Sequence, residues 1–324
     1  MRFAIYGESL RWLSRLTCRA ALFLMLALFA GASAANAQSP NPGATGPAPK
    51  SQEGFAPGWA LGTRFEGSSS SDGSVFNWST ALGYNFSRHF GVGLAVPYYF
   101  VGTPSLIQER NPTAVSGYGL GDVGADLRWN FPGRALNYNS TIHLTAPTGD
   151  EQKGLSTGHV MWNLSNRIAH GWGIFSPFIE AGVGNTVADT NRLGRVFKTF
   201  GYNAAFEAGT EIDAGRVSFS ASAYDVVPWG AQTVISRVFR CPPGPKCVAT
   251  QTIADRKNHL LESVSIGDAS LTRDNGFNAG ADFSPLKNVA LDFNYSRSVP
   301  LHLDSFSFGI SFDLSSLLRP RPAL

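Results

Sequence analysis

Two glycine-bracketed motifs and one cysteine pair carry the residue types that could do chemistry. Gly154-Leu155-Ser156-Thr157-Gly158 matches G-x-S-x-G, with His143 and His159 as conceivable bases for Ser156. A nucleophile elbow needs a strand before its serine and a helix after it. Here the polar residues 149–153 come first and a strand-like segment follows, so the motif reads as a Gly/Ser turn beside a loop. Gly119-Leu120-Gly121-Asp122-Val123-Gly124 matches G-x-G-x-x-G, but it opens a strand with no helix behind it, which a dinucleotide site requires. Cys241 and Cys247 enclose Pro-Pro-Gly-Pro-Lys, and an exported context favours a disulfide closing a small loop. A metal there would need two further ligands, and His259 is the nearby histidine. The expectation is no catalytic set, no metal and no cofactor.

A second group of reactive side chains is spread along the chain in a regular pattern. Residues 306–314 read Phe-Ser-Phe-Gly-Ile-Ser-Phe-Asp-Leu, so large apolar residues alternate with small or polar ones. Successive side chains of a strand point to opposite faces, which gives such a segment one greasy and one wet face. The pattern recurs in about twelve segments, from the Trp59, Leu61, Phe65 series to the one at 306–314. If the apolar series face lipid, the residues between them face a lumen. Candidates are Arg64, Glu66, Asp122, Asp126, Arg128, His143, Arg167, Glu180, Glu207, Glu211 and Asp292, together with Asp313. Facing lipid at mid-depth, a charge would cost about 2–4 kcal/mol.

The elements that position these residues follow an exported leader. Arg2, Arg11, Arg15 and Arg19 make a basic start before the apolar run 20–30, which is short for a spanning helix, and Ala35-Asn36-Ala37 forms an A-x-A cleavage site. Residues 1–37 are therefore expected to be a signal peptide, 38–56 a Pro/Gly/Ser-rich periplasmic linker, and 57–324 a transmembrane β-barrel. The leader holds four Arg and one Glu, leaving 22 charges of each sign in the remainder, and this balance gives no electrostatic case for nucleic acid. Connections between segments alternate in length: tight at 87–89, 132–134, 170–171, 214–215 and 285–287, long between them, and longest at 228–273. Short periplasmic turns and long outer loops are the pattern of bacterial outer-membrane barrels. Tyr84, Phe86, Phe90, Trp129, Phe131, Trp172, Phe283 and Phe312 group toward the short turns, while Tyr98, Phe100 and Trp229 lie toward the long loops, as two aromatic girdles would. The 228–273 loop is basic through Arg237, Arg240, Lys246, Arg256 and Lys257, and is expected to be solvated, with a lid over the pore or a contact with lipopolysaccharide as alternatives.

Gly119-Leu-Gly-Asp-Val-Gly-Ala-Asp-Leu-Arg-Trp, Thr145-Ala-Pro-Thr-Gly-Asp and Leu155-Ser-Thr-Gly together resemble the outer-membrane transporter family of the MetA pathway of phenol degradation. The resemblance implies uptake of aromatic or other hydrophobic compounds and names no substrate residues. The fold expected is an all-β, antiparallel, up-and-down barrel of about twelve strands in the bacterial outer membrane. Its partners would be the lipid bilayer, lipopolysaccharide, the barrel-assembly machinery and a small-molecule solute. A passive channel is the function expected; an outer-membrane lipid hydrolase and a non-catalytic structural or adhesive barrel are the alternatives.

Overall fold

The computed structural model describes residues 57–70, 73–102, 117–133, 136–186, 195, 197–237, 248–250, 264–286 and 289–313. The expected leader, the linker and the Cys241–Cys247 pair lie outside them. The strands in chain order are β1 (Gly58–Ser70), β2 (Gly73–Asn85), β3 (Phe90–Gly102), β4 (Gly117–Leu120), β5 (Val123–Pro132), β6 (Leu136–Ala146), β7 (Met161–His170), β8 (Phe175–Gly184) and β9 (Phe197–Phe200). They continue with β10 (Asn203–Ala214), β11 (Val217–Pro228), β12 (Gln232–Ser236), β13 (Val248–Thr250), β14 (Val264–Gly267), β15 (Asp274–Leu286), β16 (Val289–Ser298) and β17 (Leu303–Asp313).

All but β9, β12, β13 and β14 belong to one antiparallel sheet that closes on itself, since β1 pairs with both β2 and β17. The seam runs from Ala60↔Asp313 through Phe65↔Phe308 to Ser69↔Asp304 and shuts the wall into a ring. Twelve strands make the wall, because β4 and β5 together form one strand interrupted at Gly121 and Asp122. Opposite that break lies Pro97 of β3, which has no N–H to give and whose carbonyl instead accepts from the Gly121 N–H at 2.9 Å.

Alternation decides which face is which. On β17, Phe306 is 63 % exposed, while Ser305, Ser307 and Ser311 are buried. The same phase runs around the ring and gives an outer band of Phe65, Trp78, Leu94, Ile168, Ile179 and Phe219. Rings cluster at both rims of this band. Trp59, Tyr84 and Phe86 form a chain at 4.9 and 5.0 Å, and Phe90 meets Trp129 at 6.3 Å, near the short turns. Tyr98 contacts Phe100 and Tyr118, and Tyr202 stacks on Trp229, near the long connections. The fold is that of an outer-membrane β-barrel.

The longest connection departs from the expected solvated loop. Its β12 pairs with β14 and with β9, a strand from the separate β8–β10 connection, while β13 runs parallel to β14. Two connections therefore share a four-stranded sheet instead of forming independent loops.

Candidate functional site

At the long-connection rim the small sheet packs against inward-facing wall residues. Val75, Tyr99 and Val101 stand out of phase with the outward series of β2 and β3, and they bury together with Leu155, Phe197 and Val234. The charges of this cap reach opposite walls. Lys198 Nζ lies 2.7 Å from Asp122 Oδ2, at the β4–β5 break, and Arg195 lies 2.6 Å from Asp274 Oδ2, on β15. Counted around the ring, those wall positions are six strands apart of twelve, so two side chains three positions apart in sequence brace the mouth across its diameter.

Each carboxylate of the brace is held further. Asp122 Oδ1 accepts the Gly149 N–H at 3.0 Å, and Asp274 Oδ1 accepts the Ser298 hydroxyl at 2.6 Å. Arg237 donates to the Arg195 carbonyl at 2.5 Å and lies 4.3 Å above the Tyr99 ring. The β6–β7 connection joins the same body. Gly154, at φ 63°, ends the one-turn 3-10 helix Glu151–Lys153 so close to the Ser236 carbonyl that a Cβ would collide with it.

Down the wall, the other candidate residues stand on inward positions and pair across strands. Arg64 on β1 reaches Asp292 on β16 at 3.0 Å, passing over Gly309 of β17, which is the register partner of both. A Cβ at 309 would collide with the Asp292 carboxylate, so the bridge needs glycine there. Asn77 donates to Glu66 at 3.4 Å, and His143 Nδ1 meets Asp126 at 2.6 Å while its Nε2 contacts Thr145. Arg128 donates to Asn85 and to the Val92 carbonyl. Arg167 lies 3.3 Å from Glu211 and 4.0 Å from Glu180, with its guanidinium 3.5 Å above the inward-facing Phe178 ring. Glu207 accepts the Ser222 hydroxyl at 2.5 Å and an Asn278 N–H at 3.3 Å.

The two glycine motifs have structural roles. Ser156 is fully buried, its hydroxyl accepts the Gly158 N–H at 3.1 Å, and strand β7 rather than a helix follows it. His143 is engaged with Asp126, and His159 stacks on Phe200 at 4.5 Å. The G-x-G-x-x-G run is the strand break that turns Asp122 toward the cap.

Sequence reasoning passed over Arg195, Lys198, Asp274 and Phe178. The available signal was Val75, Tyr99 and Val101: bulky apolar side chains at inward positions near the long connections imply something covering them from within.

No family model and no curated protein matches the sequence. Among solved structures, the chain is similar to the COG4313 outer membrane channel from Pseudomonas putida F1, at 13% identity and TM-score 0.52, covering 81% of this chain and 97% of that one. It is also similar to the KdgM porin, at 9% identity and TM-score 0.41, covering 78% and 98%, and to the CymD monoaromatic hydrocarbon channel, at 8% identity and TM-score 0.36, covering 80% and 88%. The likeness to the COG4313 channel shows a shared fold. The class defined by fold and wall is a twelve-stranded bacterial outer-membrane barrel.

Proposed function

We propose that the chain is an outer-membrane channel passing small solutes by passive diffusion, aromatic or hydrophobic ones among them. The observation that carries this reading is the two-sidedness of a closed wall, apolar outside and lined with charge and hydroxyls inside along its length. Resemblance of residues 119–129, 145–150 and 155–158 to the phenol-degradation transporter family supports the aromatic solute class. Under this reading Arg64, Glu66, Asp126, Arg128, His143, Arg167, Glu180, Glu207, Glu211 and Asp292 line the solute path, and Asp122 anchors the cap at its entrance. Delivery by an N-terminal leader, insertion by the barrel-assembly machinery and contact of the long connections with lipopolysaccharide belong to the same proposal. Folded protein reconstituted in planar bilayers should give discrete conductance steps, and in liposomes it should admit phenol-sized solutes. A folded protein giving neither would overturn the reading.

A further inference from the structure

The stretch His143-Leu144-Thr145 sets two reactive side chains on one face of β6, since alternate residues of a strand point the same way. Both stand on the inward face, while Leu144 between them is exposed on the outer wall. Asp126 on β5 is the register partner of His143, and the two meet at 2.6 Å between Oδ1 and Nδ1. The other ring nitrogen, Nε2, lies 3.0 Å from Thr145 Oγ1. A carboxylate only accepts, so Nδ1 carries the ring hydrogen, and Nε2 is left with a lone pair for the Thr145 hydroxyl. Hydroxyl, imidazole and carboxylate thus stand in the order that turns a hydroxyl into a nucleophile.

The neighbouring strands hold this line in place. Gly124 on β5 is the register partner of Thr145, and a Cβ there would come 2.7 Å from His143 Cε1, so the imidazole needs bare backbone beside it. Asp126 is 3 % exposed and His143 38 %, which seals the orienting carboxylate and leaves the base open to the lumen. On the other side, Asn163 of β7 is the register partner of His143, and its carboxamide makes no hydrogen bond among the described residues. A Cβ at Gly184 would come 3.2 Å from Asn163 Nδ2, so glycine there leaves the amide room to turn.

We propose that Asp126, His143, Thr145 and Asn163 form a hydrolytic site for small uncharged carboxylic esters inside the barrel. Thr145 Oγ1 bonds to the ester carbonyl carbon, and its proton passes to His143 Nε2. Asn163 Nδ2 donates to the oxyanion that forms. As the tetrahedral intermediate collapses, the bond from carbon to the alcohol oxygen breaks, and the alcohol leaves with the proton from Nε2. Water then attacks the threonyl ester, Nε2 takes the water's proton and returns it to Thr145 Oγ1, and the carboxylic acid is released. Thr145 is 8 % exposed, so the acyl group that reaches it is a short one. Asp126 acts through the imidazole and is a positioning residue. Turnover needs no conduction, so this inference goes beyond the channel reading and does not rest on it.

The test is hydrolysis of p-nitrophenyl acetate by the full-length protein in detergent, shown folded by its heat-modifiable mobility. The unaltered chain should turn the ester over, Thr145→Ser should keep the activity, and the isosteric Thr145→Val should fall to the uncatalysed rate. His143→Gln should lower kcat about 10²–10⁴-fold, and Asn163→Ala about 10²–10³-fold. Asp126→Asn should lower kcat with KM nearly unchanged, a split that loosening of the wall alone would not produce. A fluorophosphonate should label Thr145, as located by mass spectrometry. A folded chain with neither hydrolysis nor label, a label on another residue, or undiminished hydrolysis by Thr145→Val overturns the inference and leaves the channel reading to the bilayer. An unchanged kcat in Asn163→Ala overturns the oxyanion assignment. If Thr145→Val fails to fold, the position of the label on the unaltered chain decides alone.

Discussion

Gly309 shows how much a single missing side chain can carry. It stands on the closing strand exactly between the partners of a salt bridge that spans three strands, Arg64 on one side and Asp292 on the other. The pair is mostly shielded from water, with 12 % exposure at each end, so it cannot be dismissed as a surface contact. Gly309→Val should push the Asp292 carboxylate aside and break the bridge at the seam where the barrel shuts. Overpacking of this kind costs about 1–3 kcal/mol. The measurement is the temperature at which the compact, heat-modifiable band is lost on electrophoresis, which should fall for Gly309→Val and much less for the outward Ile310→Val. An unchanged transition would mean that the bridge adds nothing to closure. The alternation over 306–312 was enough to assign 309 to the inward face. That this inward residue must be glycine was not legible, because the reason lies in register with strands whose partners no local pattern reveals.

At the scale of elements, the barrel strands and the cap differ in how far apart in the chain their determinants lie. Apart from the four-residue β4, barrel strands are 10 to 13 residues long, and most pair with the next strand in the chain, the exceptions being the seam and the β3–β5, β8–β10 and β11–β15 steps, so period-two patterning finds them. The cap strands are 3 to 5 residues long and come from two connections, and their pairing of Val234 with Thr199 depends on the whole barrel bringing them together. Short segments without a turn signal between them read as loop, which is why the 228–273 connection was expected to be solvated. The cap is held by buried charge pairs, and loss of one partner from such a pair costs about 3–5 kcal/mol. Asp274→Asn removes the carboxylate facing Arg195, and Asp122→Asn the one facing Lys198. Each should loosen the cap while leaving the barrel wall intact. The checks are faster proteolysis within 229–273 in detergent and a larger, noisier conductance in the bilayer, with an unaltered heat-modifiable transition. Because Arg195 and Lys198 brace one body from two sides, the double variant should add less than the sum of the singles. Cleavage and conductance equal to those of the unaltered protein would show that the apolar cluster around Val234 suffices to hold the cap.

For the whole molecule, one face of every wall strand is committed to hydrocarbon, and that commitment can be probed at a single position. Ile179 is the fifth of ten residues in β8, is 61 % exposed on the outer face, and precedes the inward Glu180. In a soluble barrel an arginine at such an exposed site would be nearly neutral, since surface substitutions usually change stability by less than about 0.5 kcal/mol. In a bilayer the same arginine near the midplane costs about 2–4 kcal/mol. Ile179→Arg should therefore lower the urea midpoint of reversible folding into phospholipid vesicles, by an amount that shrinks when the substitution is moved to Phe175 at the short-turn rim. In detergent micelles, which deform around a charge, the difference between the two positions should narrow. Depth dependence separates a lipid-facing wall from a merely greasy surface, because both sites are exposed on the outer face, 61 % at Ile179 and 47 % at Phe175, and they lie at different distances from the membrane midplane. Equal costs at Ile179 and Phe175 in vesicles would mean that the outer band is not seated in the bilayer as the two aromatic rims require.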